Sequence, residues 1–263
     1  MTSFSADWLA LREPADAAAR SSALASFVAT HLQAQRPRRR LLDLGGGTGS
    51  NIRYLSPKLP SPQEWTIVDS DPHLLTLAPA GVASRRADLN VVVTDDELFR
   101  ESGLVTASAL LDLVSDSWLA RLVEQCAAAG SAVLFALTYN GTIDCDPRDL
   151  EDEDVRVLVN EHQITDKGFG RALGPAAVSR VAELLTVGGY DVRRERSDWR
   201  LAGAEAELQR QLISGWADAA SQMKPTHARA FAEWRDRRIA YVDSGDSRIV
   251  VGHVDVAGIR RRA

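Results

Sequence analysis

The segment Leu41-Leu-Asp-Leu-Gly-Gly-Gly-Thr-Gly-Ser50 carries the first chemistry legible in the chain. An apolar run passes through a carboxylate, Asp43, into glycines at 45, 47 and 49. Glycine adopts positive φ without steric cost and has no Cβ, so a ligand can lie directly against the main chain of such a turn. A second apolar run, Trp65-Thr-Ile-Val-Asp69, also ends in an acid. An acid that closes the second strand, roughly 20 residues past a glycine turn, is suited to accept hydrogen bonds from ribose hydroxyls. A plainer role for Asp69 is a helix cap, but Pro72 fits the first turn of the next helix with Ser70 or Asp71 capping it. Together the two acids and the turn predict a nucleoside-bearing ligand. The dinucleotide pattern G-x-G-x-x-G/A begun at Gly45 and Gly47 needs Gly or Ala at 50, where Ser50 stands.

The spacing Asp43-x-Gly45-x-Gly47-x-Gly49 resembles the first motif of the class I S-adenosylmethionine-dependent methyltransferases. The resemblance implies that the Gly45, Gly47 and Gly49 backbone meets the methionyl and ribose part of S-adenosyl-L-methionine and that Asp69 takes the ribose hydroxyls. It places Asp88, with Leu89, at the adenine and Ser108 near the methionyl end. Asp88 and Ser108 also read as a loop cap and a small packing residue. The family fold is α/β, a doubly wound sheet of seven strands with the seventh antiparallel between the fifth and sixth and helices on both faces. The likeness covers roughly 40–138 plus 175–257 of one domain spanning 1–263. Residues 1–38 then form an N-terminal helical cap, 139–174 an insertion or lid, and 201–246 a helix pair before the last strand.

Methyl transfer from a sulfonium is an in-line displacement, so the protein mainly aligns the acceptor and, where needed, removes a proton. The stretch Ala107-Ser-Ala-Leu-Leu-Asp112 lacks the D/N-P-P-Y segment of amino-methylating nucleic-acid enzymes, and no acidic metal set is evident. A metal-free enzyme acting on a small polar or anionic molecule is expected. Its substrate groups are sought in His162-Gln-Ile-Thr-Asp-Lys-Gly-Phe-Gly-Arg171. There His162 offers a base at neutral pH, Lys167 and Arg171 a grip on an anion, and Phe169 an aromatic wall. The plainer readings are a His at a helix C-terminus and an ordinary Lys-Gly-Phe-Gly turn. Tyr139, after the fifth strand, is a second catalytic candidate, and Trp199, past the sixth, a substrate contact.

In the N-terminal segment, Arg12, Asp16 and Arg20 share one helical face if Pro14 lies in the first turn. Arg20 then either pairs with the cofactor carboxylate or forms an i,i+4 surface pair with Asp16. His253 and Asp255 alternate with Val251 on one face of the last strand, as core or as site. Nothing in the sequence assigns a role to His31, His73 or His227.

The elements that must position these groups alternate between strand and helix. Strands are expected at 40–44, 64–69, 82–86, 104–109, 132–138, 190–197 and 248–256, and helices at 115–129, 149–162, 174–185, 203–223 and 226–242. At 263 residues and 45% hydrophobic content the chain can bury a substantial core. A net charge of −5 speaks against a general nucleic-acid surface, and Arg36-Pro-Arg-Arg-Arg40 and Arg193-Arg-Glu-Arg196 read as solvated charge. The acidic run Asp149 to Asp154 suits an exposed helix N-terminus. Two cysteines, Cys126 in a helix and Cys145 in a loop, form no metal or disulfide pattern. With no signal-like stretch and no long apolar run, a cytoplasmic protein without membrane contact is expected, monomer or homodimer. An RNA or tRNA methyltransferase and a non-catalytic cofactor-binding protein of the same fold remain the alternatives.

Overall fold

The computed structural model describes residues 4–34 and 40–261; Arg36 to Arg39 of the basic run lie outside it. The strands are β1 (Arg40–Leu44), β2 (Glu64–Asp69), β3 (Ala83–Arg86), β4 (Ser102–Ser108), β5 (Ala132–Asp146), β6 (Tyr190–Arg196), β7 (Trp199–Leu201) and β8 (Arg248–Arg260). They form one sheet in the order β3-β2-β1-β4-β5-β8-β6, with β7 paired to β8. The pairings from β3 through β5 are parallel, and β8 runs antiparallel to both β5 and β6. This is the expected order, with the final strand slotted between the fifth and sixth.

The helices are α1 (Ala6–Ala19), α2 (Ser22–Ala34), α3 (Ser50–Leu55), α4 (Pro72–Leu75), α5 (Leu89–Val92), α6 (Asp96–Phe99), α7 (Asp116–Ala129), α8 (Asp152–Gln163), α9 (Ala177–Val187), α10 (Ala206–Met223) and α11 (Ala228–Ser244). Covered strands become nearly continuous apolar runs, and β1 is buried at every position after Arg40. One core layer joins the sheet to α7 and α9, whose apolar residues recur at helical spacing. Leu24, Val28, Ile52 and Leu55 bring α2 and α3 onto the other face. A third apolar cluster packs α8, α10 and α11 over the far end of β5 and β8. Among the described residues no helix is long and apolar enough to cross a membrane.

The structure departs from the sequence expectations at four places. The 139–174 insertion begins later, because β5 continues to Asp146 and places Cys145 in a strand rather than a loop. Trp199 belongs to an eighth strand: β8 outruns β6, and β7 covers the residues from Ile249 to Val251 that β6 does not reach. Pro14 sits in the interior of α1, not its first turn, because the helix already starts at Ala6 with Ser5 as its cap. The acidic run is clamped rather than merely solvated: Arg237 bonds Asp149 and Glu151, while the fully buried Arg238 bonds Asp152 and the Pro147 carbonyl.

Candidate active site

The carboxyl ends of β1, β2 and β4 open into a cavity of about 630 Å³, within the range of about 300–1,000 Å³ typical of ligand clefts. Its floor is the glycine turn. Gly45 and Gly47 have φ of 62° and 55°, and the N–H groups of Gly45 and Gly46 both donate to the Val68 carbonyl. Gly46, whose own need was not legible, is the most crowded: a Cβ there would stand 2.5 Å from Ile67 Cγ1 and 2.7 Å from Asp43 Oδ2.

Asp69 borders the cavity and braces the turn. Its Oδ2 accepts from Gly47 N at 2.9 Å and its Oδ1 from Asp71 N at 2.9 Å. Asp71 is the cap of α4, accepting from His73 N, with Pro72 in the first turn. Leu89 and Leu110 flank Gly45, and Trp118 Nε1 donates to the Leu89 carbonyl at 2.6 Å to hold that wall. Ser50, Asn51 and Ser108 also border the cavity.

Several expected contacts lie elsewhere. Asp43 is fully buried behind the turn, its Oδ1 accepting from Asn51 Nδ2 at 2.5 Å. Gly49 does not border the cavity; it precedes α3 at φ 81° with Pro79 against it. Asp88 is exposed and caps α5, leaving Leu89 alone of that pair at the cavity. Arg20 lies just past the end of α1, in extended conformation, so it leaves the helical face that it was expected to share with Arg12. Its guanidinium is buried over the Tyr54 ring and donates to Asn51 Oδ1, behind the cavity wall.

The i,i+4 pair is therefore Arg12 with Asp16, bidentate at 2.9 and 3.1 Å, and both residues border the cavity. Sequence spacing allowed either pairing; only the position of the helix end decides between them. Trp199 supports this pair instead of touching the cavity. Its Nε1 donates to Asp16 Oδ1 at 3.0 Å, and the Arg12 guanidinium lies 4.9 Å from its ring centre.

His162, Lys167 and Phe169 also border the cavity. Phe169 meets Trp118 edge to face at 5.8 Å, a geometry favoured by the ring quadrupoles. Lys167 Nζ contacts His162 Nδ1 at 3.3 Å and Thr165 Oγ1 at 3.1 Å, and Gln222 also hydrogen-bonds the His162 side chain. Burial first, then the Lys167 charge, lowers the His162 pKa. The imidazole thus borders the cavity with Nδ1 against Lys167. Arg171 is exposed and pairs by its backbone with Asp166, away from the cavity. Tyr139 is buried and donates its hydroxyl to Asn160 Oδ1 at 2.8 Å, also off the cavity. Asp255, in the core, accepts from Ser21 N and Leu137 N.

Burial pushes the Asp43 carboxyl up to about 7 from 3.8, against the pull of Asn51 and Arg20. A carboxyl raised in the folded state contributes stability at low pH that is lost as pH climbs towards 7. Keeping it charged at neutral pH costs on the order of 4 kcal/mol. Denaturant titrations across that window are expected to show a falling stability in the wild type and a flatter profile in Asp43→Asn.

No protein-family model and no curated protein sequence matches the chain. Among solved structures, it is similar to the YcgJ protein from Bacillus subtilis, at 16% identity over 90% of this chain and 99% of that one, with a TM-score of 0.50. It is also similar to geranyl diphosphate C-methyltransferase from Streptomyces coelicolor, at 14% identity over 91% of this chain and 77% of that one, TM-score 0.48. A third similar structure is the Haemonchus contortus phosphoethanolamine N-methyltransferase 2, at 14% identity over 90% of this chain and 52% of that one, TM-score 0.43. With its strand order and its glycine turn at the switch point, the chain has the class I methyltransferase fold.

Proposed function

We propose that this chain transfers the methyl group of S-adenosylmethionine to a small polar or anionic molecule. The observation that carries the reading is that the glycine turn, Asp69 and the Leu89–Leu110 pair border the same cavity as the cationic wall formed by Lys167. The residues present fit the cofactor. Bare backbone at Gly45 to Gly47 admits a ligand to contact, Asp69 offers its remaining lone pairs to ribose hydroxyls, and two leucines suit a flat purine. When bound, the cofactor supplies an electrophilic methyl carbon and a thioether leaving group.

The chain's own residues then align and shield. Among the described residues Lys167 has no carboxylate partner, and burial lowers its pKa, so an acceptor's carboxylate or phosphate would complete its charge. The segment 162–171, hinged on Gly168 and Gly170 at φ 100° and 81°, closes over the acceptor and excludes water.

Methyl transfer from labelled S-adenosylmethionine, assayed over small carboxylates, phosphates and hydroxylated aromatics with bulk tRNA as a separate arm, tests this reading. Labelled product from a small molecule is expected, with turnover reduced in Lys167→Ala and cofactor affinity unchanged. Label in tRNA alone, or tight cofactor binding with no product across the panel, would contradict it.

A further inference from the structure

The sheet order divides the cavity. β1 lies between β2 and β4, so the acids that follow β2, Asp69 and Asp71, stand on one side of the glycine turn and the link that leaves β4 stands on the other. The segment after Lys167 is tied to that link. Leu173 N donates to the Val114 carbonyl and Gly174 N to the Asp112 carbonyl, both at 2.9 Å. Gly170 lies beside Ser115, where a Cβ would stand 4.0 Å from the serine Cβ, and Phe169 meets Trp118 of α7 edge to face. Asp166 Oδ1 fixes the turn that presents Phe169 by accepting from Gly168 N at 2.7 Å and Gly170 N at 3.0 Å. Lys167, Phe169 and Leu113 therefore border the β4 end of the cavity.

The charged groups around the cavity are not equivalent. Arg12 and Asp16 bond one another bidentately, and Asp16 also takes Trp199 Nε1. Asp69 accepts from two backbone N–H groups, and Asp71 from His73 N at the start of α4. Lys167 differs. Among the described residues its ammonium meets the Thr165 hydroxyl and the His162 imidazole but no carboxylate, so its charge is left for a ligand. Beside it Phe169 and Leu113 are only half-buried, and apolar surface in a cleft is covered favourably by an apolar ligand. In the proposed complex the purine takes Leu89 and Leu110, which leaves Phe169 and Leu113 for the acceptor.

Resting on the methyl-transfer reading, we propose that the acceptor is an amphipathic monocarboxylate, with its carboxylate on Lys167 and a ring-sized apolar body against Phe169 and Leu113. Lys167 then selects the charge and Phe169 the body. One ammonium matches one negative charge. Arg12 adds no second one, because Asp16 already neutralises it, and the remaining acids of the cavity lie across β1. An amine at this end meets the like charge of Lys167, and a bare small acid leaves Phe169 and Leu113 facing water. A neutral ring covers the apolar surface but leaves the ammonium without its counter-charge.

The test saturates the full chain with S-adenosylhomocysteine and then titrates it with benzoate and three probes that each change one property. Benzamide keeps the ring without the charge, acetate keeps the charge without the ring, and benzylamine reverses the charge. Benzoate is expected to bind about tenfold or more tightly than each of the three, as a bond to a charged group and a buried ring each allow. Lys167→Met is expected to erase the preference over benzamide and Phe169→Ala to narrow the preference over acetate, both taking up S-adenosylhomocysteine as before. That uptake shows each variant to be folded, and the wild-type comparison decides the proposal where one is not. Benzamide, acetate or benzylamine binding as well as benzoate, no benzoate binding at roughly 10 mM, or preferences unchanged in the folded variants overturns the proposal. Failure of the wild type to take up S-adenosylhomocysteine overturns the cofactor reading, and this inference with it.

Discussion

Asp69→Ala is expected to weaken S-adenosylmethionine binding by about 3 kcal/mol or more, a loss of roughly a hundredfold, because it removes three kinds of contact at once. The carboxylate takes the Gly47 N–H and the Asp71 N–H, so alanine frees both ends of that loop and, in the proposed complex, also removes the acceptor for the ribose hydroxyls. Asp69→Asn keeps an acceptor and should fall between the two. The distinction from a purely structural cap is measurable. If Asp69→Ala lowers the melting temperature of the apo protein but leaves cofactor affinity intact, Asp69 is a brace and nothing more.

Arg238→Ala is expected to give the largest loss of stability, about 3–5 kcal/mol, as the breaking of a buried ion pair does. Arg238 is wholly buried in α11 and bonds Asp152 at the start of α8, which also accepts from Trp234 Nε1 at 2.9 Å. Removing the guanidinium leaves an empty volume in the core and leaves the half-buried Asp152 carboxylate with only the Trp234 and Asp149 donors. The effect also reaches the cavity, because α8 ends at Gln163 beside Lys167 and carries His162. Urea unfolding should show the loss, and the double variant Arg238→Met with Asp152→Leu should recover much of it. Full stability in Arg238→Ala would show that the pair contributes nothing.

The two ends of the chain's logic were unequally visible in the sequence. β1, β2, β4 and β5 were legible because each carries an apolar run, whereas β3, Ala83–Arg86, is an exposed polar edge strand; the glycine spacing marked the switch point before any contact was known. β7 was not legible, since three residues carry no period; it exists because β8 is long enough to need a second partner. Arg12 and Arg20 stand at equivalent helical spacing from Asp16, and only the end of α1 at Ala19 turns one to the cavity and the other to Asn51. Asp43's place in the motif was plain, but that its side chain supports the turn from behind was not.

The central claim is that the cavity at the ends of β1, β2 and β4 binds S-adenosylmethionine, and calorimetry tests it most directly. Titration of the purified chain with S-adenosylmethionine, S-adenosylhomocysteine and a nicotinamide dinucleotide should give saturable heat for the first two, lost or strongly weakened in Asp69→Ala. Heat from the dinucleotide alone, or none from either sulfur ligand at roughly millimolar concentration, a level that would reveal binding as weak as about −4 kcal/mol, would contradict it.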